Sequence, residues 1–364
     1  MHEAIQEKVL ILGARGRFGL AAARAFCDAG WHVVCQTRPG APVPAELAGD
    51  ARLKWLGTDL RDLQAILAEP AAKNVTVVVH ALNPAYTNAA WRAQVQPMMD
   101  SAIAIARSLG ATLMLPGNVY NFGAGMPGVL DEQTPQAAAT IKGQIRTAME
   151  QRLMRSAESA ADDAGWAGGA KGAGSLKGVV IRAGDFFGSG RGTWFDSSMV
   201  KNIHKGVFAY PGQRDVSTPW AYLPDLARAF VAVAAQRARL QPFEVFHFAG
   251  HQITGQRWLD VLKPVAIAQG WVKPGGDVKF SGLPWPIIRM GALVNPTWHA
   301  LLEMRYLWET PHALDNGKLT ALIGPEPHTA LPQALRQALG DLGWLDGASA
   351  FGESRTSAPV ALRR

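Results

Sequence analysis

The feature that most restricts this chain is a set of three glycines, Gly13, Gly16 and Gly19, spaced G-x-x-G-x-x-G in ILGARGRFGLAAARAF. They fall between Lys8–Leu12, an apolar run that reads as a buried strand, and Arg17–Asp28, a helical stretch with an alanine-rich face. In such a junction the first glycine makes the tight turn and the second lets backbone approach a pyrophosphate. The third lets helix and strand pack closely. The helix N-terminus adds free N–H groups and the positive end of its dipole. Glycines in this pattern alone are a weak signal. The strand before, the helix after and a second strand at His32–Thr37 supply the context that a dinucleotide-binding loop demands.

The alternation continues along the first half. Residues 53–56, 75–80, 112–115 and 178–183 read as strands, and 62–67, 91–109 and 141–158 as helices. Strands alternating with helices predict an α/β fold, a Rossmann-type doubly wound parallel sheet with right-handed crossovers. The C-terminal third changes character: nine of the twelve Trp lie from Trp166 onward and Pro becomes frequent. A strand at 243–248, a helix capped by Thr254 and an apolar helix over 295–308 predict a smaller C-terminal α/β substrate domain. The expected organisation is a dinucleotide-binding domain over 1–190, with a Gly/Ala-rich flexible insertion at about 160–177. A mainly substrate-binding domain over 191–347 follows, some of its strands returning to the first sheet. The last segment, 348–364, reads as a disordered tail.

The net charge of +7 favours anionic small molecules, but Lys and Arg are dispersed and no dense basic run is present, so nucleic acid is not an expected partner. No stretch approaches eighteen apolar residues, so no membrane span is expected. The acidic start MHEAIQE does not read as a secretory leader, and Cys27 and Cys35 read as buried reduced thiols, which makes a cytoplasmic location the expectation. Neither the cysteines nor His247 and His251 form a metal-ligand pattern, so no metal is expected. The expected partner is a small-molecule substrate, with neither nucleic acid nor a membrane as partner and a homodimer as a possible assembly.

The second strand ends in Thr37 and Arg38, where an acid would hold the ribose 2′-hydroxyl of NAD and an arginine suits the 2′-phosphate of NADP. Arg15, inside the glycine loop, can reach the same phosphate. NADP(H) is therefore the expected cofactor, with NAD as the alternative.

Over about residues 8–340 the sequence resembles the extended short-chain dehydrogenase/reductase family, also described as NAD-dependent epimerases and dehydratases. TDLRD matches the pair that contacts adenine in that family, here Asp59 and Leu60. VVVHALNP is similar to the fourth-strand segment bordering the cofactor, LPGNVYNFG to the fifth-strand S-x-x-x-Y-G element and VVIRAGDFFGSG to the sixth-strand element. WAYLPDLARAF and LDNGKLTALIG follow in the family's order. The resemblance implies a cofactor site of Gly13, Arg15, Gly16, Phe18, Gly19, Thr37, Arg38, Asp59, Leu60, His80, Ala81 and Leu82.

The active-site motif departs from the family pattern. The register EQTP followed by KGQIRTAME places Lys142 where the family has its Tyr, Arg146 where it has its Lys, and Glu150 where it has Glu. The serine position, four before Tyr120, is Pro116. Two readings stay open. In one, Lys142 beside Arg146 has a depressed pKa and acts as acid, base or oxyanion stabiliser, with Asn118 and Tyr120 binding a carbonyl. In the other, the fold is a catalytically silent cofactor sensor. Trp194, Phe195, Trp220, Tyr222 and Trp285 are candidates for an apolar pocket or for plain core.

Overall fold

β-Branched runs that are apolar on both sides belong in the middle of a parallel sheet. The computed structural model, which describes residues 7–345 apart from 45, 46, 48 and 164–174, places them there. In chain order the main elements are β1 (Lys8–Leu12), α1 (Arg17–Asp28), β2 (His32–Thr37), β3 (Leu53–Gly57), α2 (Leu63–Ala68), β4 (Val77–His80), α3 (Asn88–Leu109) and β5 (Thr112–Asn118). Then come β6 (Val129–Leu130), α4 (Ile141–Asp163), β7 (Lys177–Ala183), β8 (Asp185–Phe187), β9 (Val207–Tyr210), β10 (Ser217–Tyr222), α5 (Leu223–Ala235) and β11 (Phe243–His247). The remainder is β12 (His251–Thr254), α6 (Gly255–Ala268), β13 (Lys279–Gly282), α7 (Trp285–Gly291), α8 (Pro296–Glu303), β14 (Ala313–Leu314), α9 (Gly317–Ile323) and α10 (Leu331–Asp341).

Seven strands form the central sheet in the order β3-β2-β1-β4-β5-β7-β11, all parallel. The order reverses between β1 and β4, and ligands of such sheets bind in the crevice beyond the strand ends at that point. The glycine loop leaves β1 there, and Ala81 and Leu82 leave β4 beside it. One face of the sheet is covered by α1 and α5, with Phe18, Phe26 and Phe230 in the core; the other by α2, α3 and α4, with Ile66, Met99 and Leu153. A third core, built around Phe187, Phe195, Trp220, Trp258 and Leu335, gathers the later elements. Two small sheets, β8-β10-β12 and β9-β13, contribute to it, while a third, β6-β14, packs Leu130 and Leu314 into the second core.

Of the elements that differ from their expected bounds, three do so for identifiable reasons. α3 starts three residues early because Thr87 Oγ1 accepts a hydrogen bond from the Ala90 N–H at 3.2 Å and caps it. β5 continues past 115 to Asn118, since Leu115 to Asn118 stay in register with Val180 to Ala183 of β7. The single helix expected over 295–308 is two pieces: α8 ends at Glu303, before Met304, whose ψ of 0° leaves helical geometry, and Arg305–Trp308 forms a 3-10 turn. The insertion expected at about 160–177 falls largely outside the described residues; at its edges α4 runs to Asp163 and β7 begins at Lys177. The tail expected at 348–364 also lies outside the described residues. No helix among those described is long and apolar enough to cross a membrane.

Candidate active site

The three glycines serve three different needs. Gly13 has φ +76°, and a Cβ there would sit 2.9 Å from Leu82 Cδ2 and 3.2 Å from the Ala81 carbonyl oxygen. At Gly19 a Cβ would lie 2.6 Å from the Gly13 carbonyl oxygen and 2.8 Å from Ala14 Cα, so α1 could not seat against the loop. Gly16, the N-cap of α1, has ordinary extended geometry (φ −69°), and a Cβ there would meet only two carbonyl oxygens at 3.3 and 3.4 Å. The fold itself requires glycine at 13 and 19; at 16 a side chain would mainly obstruct something approaching from outside.

Gln36, which sequence reasoning missed, braces this loop. Its buried Oε1 accepts from the Gly13 N–H at 3.0 Å, while Nε2 donates to the Thr37 and Thr58 carbonyls at 3.1 and 2.7 Å. Its one signal was an amide in an otherwise apolar strand. Thr37 is buried beside it, whereas Arg15 and Arg38 are exposed at the mouth of the crevice. Among the described residues neither arginine side chain makes a hydrogen bond or an ion pair, although the Arg38 carbonyl accepts from the Ala41 N–H at 3.1 Å. Asp59 is already engaged: Arg61 holds it through two side-chain nitrogens at 3.1 and 2.8 Å and its own N–H at 2.9 Å, keeping the carboxyl down at about 2. Leu60 is half-buried against the core. The Phe18 ring points away from the loop and packs edge-on against Phe230 at 4.8 Å, which leaves only its backbone for a ligand.

Helix α4 carries Lys142, Arg146 and Glu150, and one ion pair fixes its position. Arg182 of β7 and Glu150 of α4 are both buried, and Arg182 Nη2 donates to Glu150 Oε2 at 2.6 Å with further bonds from Nε. Removing one partner of such a pair is costly because it strands a charge. Counting back by single helical turns from Glu150, Arg146 and Lys142 lie on the same face. Lys142 is fully buried; its Nζ donates to Asn88 Oδ1 at 2.5 Å and sits 4.5 Å from the Tyr86 ring centroid. Burial draws its ammonium down to about 8, against a smaller opposing pull from Glu303. Arg146 stacks 5.1 Å from the Trp91 ring, and its buried Nε has no partner.

Arg146 and the buried His80 line one small cavity together with Leu82 and Met149. Neither ring nitrogen of His80 has a partner, and burial, aided by the Arg146 charge, pulls the imidazole down to about 4. Orphaned polar atoms of this kind require a partner. Together with the glycine cradle on the same crevice they fit a bound dinucleotide, whose ribose hydroxyls are donors and acceptors.

Asn118 and Tyr120 are less available than expected. Asn118 Oδ1 accepts from the Tyr120 N–H at 3.1 Å and so closes the turn after β5. Tyr120 is buried, and burial with the nearby Asp185 pushes its phenol up to about 12. Of the five aromatics considered for a pocket, Phe195, Trp220 and Tyr222 are core. Trp194 is partly buried at the edge of that core and meets Tyr86 edge-on at 5.3 Å and Trp308 at 5.7 Å. Trp308 Nε1 in turn donates to Asp185 Oδ2 at 2.6 Å, and burial raises that carboxyl to about 6. Asn88, Tyr86, Asp185 and Glu303 were all missed. Asn88 Nδ2 donates to Glu303 Oε2 at 2.9 Å, so a chain of polar contacts runs from Lys142 to α8.

Among the described residues no group of three or more His, Cys, Asp or Glu is arranged to hold a metal. Cys27 and Cys35 are unpaired buried thiols, both pushed up to about 12, chiefly by burial.

The fold and this crevice correspond to a known family. Residues 9–249 match the model of the NAD dependent epimerase/dehydratase family, and the chain belongs to it. A putative epimerase from Burkholderia cenocepacia superposes with a TM-score of 0.68 at 20% identity, covering 92% of this chain and 97% of that one. A UDP-glucose 4-epimerase from Brucella ovis in complex with NAD gives 0.66 at 13% identity, covering 91% and 97%. A UDP-glucuronic acid 4-epimerase from Bacillus cereus in complex with NAD gives 0.64 at 15%, covering 90% and 96%. No curated protein matches the chain in sequence.

Proposed function

We propose that this protein is an NADP(H)-dependent oxidoreductase or epimerase/dehydratase-type enzyme acting on a small carbonyl or hydroxyl substrate. The observation that carries the proposal is Lys142: a buried lysine titrating at about 8, fixed at the position of the family's tyrosine, one turn from Arg146. A bound nicotinamide would supply or accept the hydride. Lys142 as ammonium gives a proton to the developing alkoxide in reduction, and as free amine takes one from an alcohol in oxidation. Arg146, whose fork of donors stays charged, holds ribose hydroxyls from the position of the family's lysine. Arg15 and Arg38 receive the 2′-phosphate, which supports NADP(H) over NAD. Asn88 orients the Lys142 amine through its side-chain oxygen.

The test is NADPH consumption by the wild type across a panel of small aldehydes and ketones, followed by Lys142→Met. The variant should keep NADPH affinity and lose roughly 10²–10⁴-fold in turnover, as removal of a general acid does. Undiminished turnover in Lys142→Met would refute the assignment.

One observation favours a second reading, a catalytically silent sensor of the cofactor. Lys142 has no exposed surface, so contact with a substrate requires its side chain to move. A wild type that binds NADPH yet oxidises none on any substrate would support that reading.

A further inference from the structure

We propose that the α7–α8 hairpin is a membrane-docking tip that seats the protein on an anionic lipid surface. Six large apolar side chains are exposed among the described residues, and four of them fall within eight positions: Ile287 at 55%, Met290 at 68%, Leu293 at 88% and Val294 at 87%. Single exposed apolar residues are ordinary, but a contiguous group is not. The group is held outward by its backbone. Gly291 lies flat against the Trp298 ring, where a Cβ would overlap the indole. The Val294 and Asn295 N–H groups both donate to the Gly291 carbonyl at 3.1 and 2.8 Å. Asn295 Oδ1 then accepts from the Thr297 and Trp298 N–H groups, capping α8. On the inner side Ile288 is buried in the third core. The tip therefore cannot fold its apolar side chains inward.

Charge selects the occupant. No acidic residue occurs between Asp277 and Glu303, while Lys279 and Arg289 are exposed on this stretch and the whole chain carries +7. An acid-free apolar tip flanked by cations suits a leaflet with anionic headgroups, with the half-buried Trp298 at its shoulder. A second copy is the poorer fit, because four side chains at a turn fall short of the about 800 Å² per partner that a stable dimer buries. The tip also adjoins the candidate active site: the ring of Trp285 in α7 lies 6.4 Å from that of Trp308, which holds Asp185. Docking would place that site at the lipid–water boundary.

The experiment is co-sedimentation of the full chain with phosphatidylcholine vesicles, with and without phosphatidylglycerol, at low and high salt. The wild type is expected to bind the phosphatidylglycerol vesicles, and less so at high salt. The double variant Leu293→Asp, Val294→Asp should bind about tenfold or more weakly, with an unchanged unfolding curve since both positions are exposed. Wild type that binds neither vesicle, or a double variant that binds as well as wild type, overturns the proposal. So does a double variant that only converts a dimer to monomer, which would assign the tip to contact between copies.

Discussion

Exchanging Gly16 and Gly19 separately should split one motif into a ligand effect and a stability effect. At Gly16 the backbone (φ −69°, ψ 158°) accepts valine without strain, and the new Cβ needs two carbonyl oxygens at 3.3 and 3.4 Å to yield by a few tenths of an ångström. Replacing glycine at a compatible site restricts the unfolded chain and gains about 0.4–1 kcal/mol, which offsets that crowding. Net stability should therefore move by less than about 1 kcal/mol. The valine methyls would stand where an anion must approach the loop N–H groups. Losing two charge-assisted hydrogen bonds, each about 1.5–3 kcal/mol, weakens NADPH binding by roughly a hundredfold or more. Gly19→Ala behaves oppositely: its Cβ would lie 2.6 Å from one backbone atom and 2.8 Å from another, an overpacking that costs about 1–3 kcal/mol. Calorimetric titration with NADPH and urea unfolding of both variants provide the readouts. Gly16→Val binding NADPH as tightly as wild type would refute the cradle argument, and a Gly19→Ala protein as stable as wild type would refute the packing one.

Thr37→Asp with Arg38→Ala should turn preference from NADPH toward NADH, since an acid then faces the 2′-position and a cation worth about 1.5–3 kcal/mol is gone; competitive titration of the two cofactors measures it, and a wild type already favouring NADH would contradict it. Glu150→Ala strands the Arg182 guanidinium and should cost about 3–5 kcal/mol in urea unfolding, whereas a loss under about 1 kcal/mol would mean the pair does not anchor α4. Stability should fall on acidification. His80, His247 and His251 are buried and held neutral, drawn mainly by burial from 6.5 to about 4, so the unfolded chain binds more protons and stability is lost as pH drops from about 6.5 toward 4. Asp185, raised from 3.8 to about 6, acts in the opposite direction over part of that window and offsets some of the loss. Unfolding curves equally stable at pH 7 and pH 4.5 would refute this balance.

What the sequence revealed depended on how local the signal is. The glycine loop is legible because strand, turn and helix are contiguous, and their bounds at Lys8–Leu12, Arg17–Asp28 and His32–Thr37 are as expected. Lys142 and Arg146 were singled out by the register of EQTP and KGQIRTAME, and the structure places both on one face of α4 with Glu150. The polar neighbours of Lys142 are not: Asn88 lies 54 residues away from it, and Glu303 lies 215 from Asn88. No periodicity links such positions, and an asparagine at a helix start reads as a cap. Aromatics were ambiguous for another reason. Apolarity alone does not separate Trp220, fully buried, from Trp194, which is partly buried, caps the Phe195–Met199 turn and meets Tyr86. The exposed tip at 287–294 was hidden similarly, because its residues have the composition of a buried helix.

The way α4 is fastened has a consequence for how this architecture changes its trade. Its anchor at Glu150 stands one turn from position 146 and two from position 142, and it grips β7 through hydrogen bonds with Arg182 that involve neither. The helix thus works like a tool holder whose clamp is separate from its bits. Residues at 142 and 146 can be exchanged for others of similar bulk while the shank stays seated, so a lineage can pass from one proton donor to another, or to none, through folded intermediates.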